Sequence, residues 1–305
     1  MGYKEMQSSS NLLLGSAISL LVSFLWAVEI NVYKSQSEVA TPLAISTLKM
    51  WLSFVFMTIL MFLMYRVATF SVPIESMVYL VASVTLGLII GDIAFLTSQD
   101  RIGVSYAYPI TSTYPIMTYI IAIYVLTEEL LLTRLIGIIL AVVGVILISR
   151  EQSSNQKVDS IDTFDKAGIA LALFAALCWA LGSIFLQLGV TDVDPIDANF
   201  VRMAFGFGII TPLFLASIRN GSPRPTRRAA KMVLVAAFFG MALGSLLYTY
   251  AVKLIGASIT AVLGSVSPLF ALPISIFFLK ESYSHKSILG ALLTVLGVIL
   301  VVVIV

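Results

Sequence analysis

Four side chains that carry a formal charge stand inside long apolar runs of this 305-residue chain: Glu29, Lys49, Asp92 and Arg202. A charge at the centre of a bilayer costs about 3 kcal/mol or more unless it meets an opposite charge or a water-filled cavity, so each needs a reason to be there. The cations Lys49 and Arg202 suit a ligand bearing carboxylate or phosphate. The acids Glu29 and Asp92 suit proton carriage, since a carboxyl in a low dielectric can be held neutral. The same residues also suit plain ion pairing, Glu29 or Asp92 with Lys49, without proton traffic. Arg202 stands only a few residues into its run, where tying helix ends together or reaching the interface is the alternative role.

Between Val104 and Leu126 a cluster of hydroxyls offers hydrogen bonds without charge: Ser105, Tyr106, Tyr108, Thr111, Ser112, Thr113, Tyr114, Thr118 and Tyr119, interleaved with Pro109 and Pro115. Tyr106, Tyr108 and Ser112 are the ligand contacts expected there. Small hydroxyls also bond between helices, which accounts for part of the cluster. Trp26 and Trp179 lie within their runs rather than at the ends, where an aromatic belt would place them. They stack on ligand or pack the bundle. Gly137 and Gly144, and again Gly290 and Gly297, stand two turns apart on one helix face, which lets another backbone approach closely. Glu128 and Glu281 begin loops and are read as helix caps or partners of a neighbouring cation. With one cysteine, Cys178, and one histidine, His285, there are too few ligands for a Cys or His metal centre, and no cofactor is expected.

These residues are carried by membrane-spanning helices. Hydrophobic residues make up 59% of the chain and charged residues 11%, with a mean hydropathy of +1.03. A soluble domain carries about a quarter charged residues, so this composition cannot cover a water-facing surface. A net charge of +2 is no footprint for nucleic acid. Apolar runs of spanning length occupy roughly 12–32, 42–65, 77–97, 104–126, 134–149, 167–190, 198–218, 232–251, 258–279 and 287–305. The polar stretch 151–166 reads as a flexible linker. Residues on its two sides repeat at one unbroken offset of 153: Gly15 and Gly168, Trp26 and Trp179, Pro42 and Pro195, Gly87 and Gly240, Pro115 and Pro268, Gly144 and Gly297. The expected fold is all-α integral membrane, with ten transmembrane helices as two five-helix repeats (11–150 and 167–305). Five is odd, so the second repeat enters the membrane inverted, the symmetry of alternating-access carriers.

The chain resembles the EamA-type members of the drug/metabolite transporter (DMT) superfamily. The likeness rests on Phe24-Leu25-Trp26 and Leu177-Cys178-Trp179, on Pro42/Lys49 and Pro195/Arg202, and on the Gly103-Val104-Ser105 and Gly256-Ala257-Ser258 turns. It continues through Pro115 and Pro268, Glu128 and Glu281, and the glycines seven apart in the last helix of each half. Family members usually carry arginine where Lys49 stands, and this chain departs from them there. The resemblance implies that the fifth and tenth helices pack as a scaffold.

The expected function is that of a secondary transporter, exporting small polar metabolites such as amino acids by alternating access, with proton coupling through Glu29 or Asp92. The competing class is a membrane-embedded enzyme or scramblase acting on lipid-linked substrates; no cluster with catalytic spacing favours it. The expected partners are a small-molecule substrate and membrane lipid, in a multi-pass monomer of the cell membrane, with a dimer as the alternative. Twelve loop cations fall opposite the N-terminal side and four on it. The positive-inside rule then puts both termini outside the cell, whereas the resemblance implies both inside.

Overall fold

The structure, a computed structural model, describes residues 3–36, 39–64, 66–154, 165–270 and 285–303, and every regular element among them is helical. The elements are α1 (Tyr3–Gln36), α2 (Pro42–Leu63), α3 (Ile74–Ser83), a π-helical segment (Val84–Gly91), α4 (Asp92–Ile102), α5 (Val104–Thr111), α6 (Tyr114–Val125) and α7 (Leu132–Ser154). There follow α8 (Lys166–Val190), α9 (Pro195–Arg219), α10 (Arg227–Ala237), a second π-helical segment (Phe238–Leu243), α11 (Gly244–Ser265) and α12 (His285–Val303). Short 3-10 geometry occurs at Arg66–Ala68.

Local chemistry sets the boundaries, and it does so twice. Thr41 and Asp194 cap α2 and α9, their side chains accepting from the amides of Ala44 and Ile196, with Pro42 and Pro195 in the first turn. Proline is well placed there because the first helical amides have no intrahelical acceptor. Gly103 and Gly256 sit at φ of 73° and 79°, a region open to glycine and strained for other residues. Asp165 caps α8 and bonds Arg101 at 2.6 Å. That guanidinium holds the Asp165 carboxyl below the usual range, so the interaction is complete at neutral pH and is lost as pH falls through the lowered value.

Among the described residues, seven helices are long and apolar enough to cross a membrane: Ser9–Glu29, Pro42–Leu63, Ile74–Ile102, Leu132–Arg150, Lys166–Val190, Pro195–Arg219 and Arg227–Ser265. This is a multi-pass membrane protein. Three expectations change. The run 104–126 is two half-helices, broken at Ser112 and Thr113, where Pro115 cannot continue the α5 hydrogen-bond ladder. The runs 232–251 and 258–279 join through Gly256, the second being described only as far as Phe270. The linker begins later than expected, because α7 persists to Ser154; residues 155–164 lie outside the described set, as does Glu281.

Helices cross where side chains vanish. A Cβ on Gly144 would strike the Gly290 carbonyl and Thr294, and one on Gly137 would come within 2.9 Å of the Gly297 carbonyl. Gly290 and Gly297 meet Gly144 and Gly137 in return, so α7 and α12 touch backbone to backbone. Elsewhere the repeats exchange contacts: Gly15 packs on Leu254 and Ile255, and Gly168 on their counterparts Arg101 and Ile102. Close backbone approach gains dispersion contacts, the main attraction available when lipid is as apolar as leucine. Large apolar side chains face outward, Phe62 at 65% and Leu63 at 72% exposure.

Gly144→Leu or Gly297→Leu is expected to lower stability by about 1–3 kcal/mol or more through overpacking. Val143→Leu, on the exposed side of α7, is expected to change little. Denaturant or thermal unfolding of the purified variants checks this, and equal losses at both positions would refute the packing role.

Candidate functional site

A cavity of about 150 Å³ lies in the middle of the bundle, walled by both halves of the chain. Trp26, Glu29, Lys49, Asp92, Tyr108, Ser112, Trp179 and Arg202 all line it, as do Tyr33 and Tyr248. Of the expected ligand contacts, Tyr106 alone is absent; it points outward and is 46% exposed. Residues two apart on a helix lie about 200° apart, so Tyr108 and Tyr106 cannot share the cavity face.

The first repeat holds the acids. Lys49 Nζ reaches Asp92 Oδ2 at 2.6 Å, with both residues buried. The other Asp92 oxygen accepts from the Trp179 indole N–H at 3.0 Å. Both carboxylate oxygens are therefore engaged, one by α2 and one by α8. Glu29 sits 5% exposed and accepts a hydrogen bond from the Tyr33 hydroxyl one turn along α1. The Lys49 ammonium lies 5.0 Å from the Tyr33 ring centroid. The ion pair is Lys49–Asp92, and among the described residues Glu29 has no cationic partner within 4.0 Å.

The second repeat answers with neutral groups. Arg202 Nη1 donates to Asn199 Oδ1 at 3.1 Å, to Thr249 at 3.0 Å and to Ser245 at 3.3 Å. Ser245 is the repeat counterpart of Asp92, so the contact is kept and its charge removed. No carboxylate among the described residues pairs with Arg202. Its Nε and Asn199 Nδ2 are buried without a hydrogen-bond partner.

The tryptophans make matched contacts of different chemistry. Trp179 lies 5.1 Å from the Phe95 ring, and Trp26 lies 5.2 Å from Tyr248, the residue equivalent to Phe95. The Trp26 indole donates to the Gly240 carbonyl at 3.1 Å, where Trp179 has Asp92. Both side chains thus line the cavity and pack the bundle.

The hydroxyl cluster divides in two. Ser112, Thr113 and Thr118 donate to carbonyls three or four residues back, within their own segment rather than between helices. Thr111 does the same. Among the described side chains of the cluster, three tyrosines reach across: Tyr114 to the Ala261 carbonyl at 2.8 Å, Tyr108 to the Ser267 hydroxyl, and Tyr119 to the loop amide of Leu131 at 2.9 Å. Pro115 stands two residues beyond the break at Thr113, and Pro268 two beyond Val266, where α11 ends. Glu128 meets Arg134 at 3.3 Å. Residues that type alone did not single out complete the site: Tyr33, Asn199, Tyr248 and Thr249. Asn199 precedes Arg202 by three positions, a same-face spacing that marks it in retrospect.

A central cavity into which a bundle of membrane-spanning helices brings a few charged side chains is an architecture that suits a membrane transporter. The chain belongs to the EamA-like transporter family, which it matches over residues 13–150 and again over 166–303. It is 29% identical to an uncharacterized transporter of Archaeoglobus fulgidus over 75% of this chain and 77% of that protein. It is 28% identical to the uncharacterized transporter YyaM of Bacillus subtilis, over 72% of each. It is also 27% identical to the uncharacterized inner membrane transporter YhbE of Escherichia coli, over 44% of this chain and 42% of that one. One solved crystal structure shares the fold with a TM-score of 0.71 at 15% identity, covering 97% of this chain and 98% of the other.

Breaking the buried pair should be costly from either side. Lys49→Met and Asp92→Asn are each expected to destabilise by about 3–5 kcal/mol, because each strands a buried group, and the double variant by less than the sum. Unfolding measured across the four proteins of that cycle checks this. Strict additivity would show that the two side chains are not coupled.

Proposed function

We propose that this protein is a proton-coupled secondary carrier of the cell membrane that exports small polar metabolites, amino acids foremost, by alternating access. Ten spans in two inverted five-helix repeats, 11–150 and 167–305 joined by 151–166, are the proposed topology. The half-helix α6, the division at Gly256 and α12 supply the spans beyond the seven long helices. Matched contacts 153 residues apart support two states of nearly equal energy, one open to each side.

The observation that carries the reading is Arg202, a buried cavity-lining guanidinium with no carboxylate partner among the described residues, facing a first-repeat wall that holds two acids. A ligand carboxylate would supply the missing charge, and a ligand ammonium would meet the acidic wall. Trp26, Trp179, Tyr108 and Ser112 would enclose its side chain and supply hydroxyls. Pro115 and Pro268 keep the helix breaks, and Gly137, Gly144, Gly290 and Gly297 hold the scaffold against which the cavity walls move.

Purified protein incubated with amino acids, nucleotides, sugars and cationic drugs should show thermal stabilisation by amino acids, reaching about 2.7 kcal/mol at a hundredfold excess over Kd. The same compounds should exchange across proteoliposomes. Arg202→Gln is expected to abolish both responses. Stabilisation by cationic drugs alone, undiminished in Arg202→Gln, would overturn the reading.

A further inference from the structure

We propose that Glu29, and not Asp92, is the carboxyl that binds the coupled proton, and that protonation lets it seat in a packing slot against Gly240 which glycine fills in the other repeat. The inference rests on the carrier reading and names the residue that performs its coupling.

The slot is seen by comparing the halves. Glu29 corresponds to Gly182, and Gly240 to Gly87. In one half, α8 crosses the first π-helical segment through Gly182 and Gly87, so closely that a Cβ on Gly182 would lie 2.9 Å from the Gly87 Cα. In the other half, α1 crosses the second π-helical segment at the equivalent place. There a Cβ on Gly240 would collide with Cβ, Cδ and Oε2 of Glu29. A carboxyl thus stands where the partner repeat has bare backbone, pressed on a helix rather than turned into water.

The groups that face it are few. Tyr33 on α1 donates to it, Lys49 on α2 is committed to Asp92, and Asp92 on α4 repels it; the π-helical segment offers backbone alone. An ionised carboxylate buried without a counter-charge is far more costly than a neutral acid. Both Asp92 oxygens are already engaged, by Lys49 and Trp179, whereas Glu29 is met by the Tyr33 hydroxyl.

The step balances simply. One proton from the cavity water joins the Glu29 carboxylate, the neutral acid seats against Gly240, and α1 closes on the π-helical segment as α8 does on its own. When the proton leaves, the charged group must swing into the cavity that Glu29 already lines, freeing α1 from that segment. Trp26 bonds the Gly240 carbonyl and so reports on the slot.

Infrared spectra of the purified full chain across a pH series test this. The parent should show the C=O band of a protonated carboxyl that disappears as pH rises. Glu29→Gln should lose the band, and the double variant Lys49→Met/Asp92→Asn, which removes the acid without freeing the lysine, should keep it. Gly240→Ala should weaken it at a pH where the parent shows it, because the added methyl expels the acid. In a Trp51→Phe background, the pH-dependent shift of tryptophan emission should vanish on adding Glu29→Gln. A titrating band that survives in Glu29→Gln, or is lost in Lys49→Met/Asp92→Asn, would overturn the proposal. Should Glu29→Gln fail to fold, a band unaffected by Gly240→Ala would overturn it equally. Exchange of amino acids in proteoliposomes is scored separately: its absence beside an intact Glu29 band would remove the substrate reading and leave the proton site standing.

Discussion

An ammonium and a carboxylate inside a lipid-embedded bundle persist only in each other's company, and the Lys49–Asp92 pair sets the terms for the rest of the molecule. Its 2.6 Å contact pins α2 to α4, and the second Asp92 oxygen, taken by Trp179, fastens that unit to α8 in the other half. Around this knot the two repeats diverge. Where the first has lysine and aspartate, the second has Arg202 and Ser245 at the same offset, and Asn199 and Thr249 complete the shell with neutral oxygen. In one half of the cavity wall a lysine and an aspartate answer each other beside Glu29; the other half carries a cation without a mate among the described residues.

What surrounds the cavity obeys a different constraint. Lipid offers no hydrophobic gain when two helices meet, so the scaffold is built from places where backbones touch. Gly137 with Gly297 and Gly144 with Gly290 give α7 and α12 a direct crossing. Gly87 with Gly182 gives the first π-helical segment and α8 another. At the break in 104–126 the Ser112 and Thr113 hydroxyls bond carbonyls of their own chain segment, so their polarity is spent locally.

Much of this was legible before any coordinates. Composition alone implied a membrane protein, and glycine, proline and tryptophan exposed the repeat because few other residues serve their positions. The rare intramembrane charges stood out by their cost, and all four line the cavity. Other features were hidden for physical reasons. Tyr106 and Tyr108 look alike by type, yet only helical phase decides which one faces inward. Thr111, Thr113 and Thr118 look like cavity hydroxyls, yet they serve their own helix ends. Tyr33, Tyr248 and Thr249 matter through partners on distant helices, and no local pattern encodes a contact between segments so far apart. The count of runs also blurred at Ser112 and Gly256, because hydropathy does not register a break between two apolar half-helices.

The π-helical segments change how the third helix of the first repeat has to be indexed. Ser83, Gly87 and Asp92 all border the cavity. In a straight α-helix, nine residues separate Ser83 from Asp92 by about 900°, which leaves them on opposite sides. The wider turns of Val84–Gly91 absorb one residue as a phase slip and bring Asp92 round to the inner face. The second repeat has the same wider turns between Phe238 and Leu243, just ahead of Ser245, the counterpart of Asp92, which also borders the cavity. Deleting one residue within Val84–Gly91 would remove the wide turns and still land Asp92 on the inner face, because the lost residue is the one the slip absorbs. Drawing the segment into ordinary α-helical turns at its present length would instead rotate Asp92 away from Lys49 toward the hydrocarbon, so the chemistry of this wall is stored in a counting irregularity as much as in the identity of its side chains.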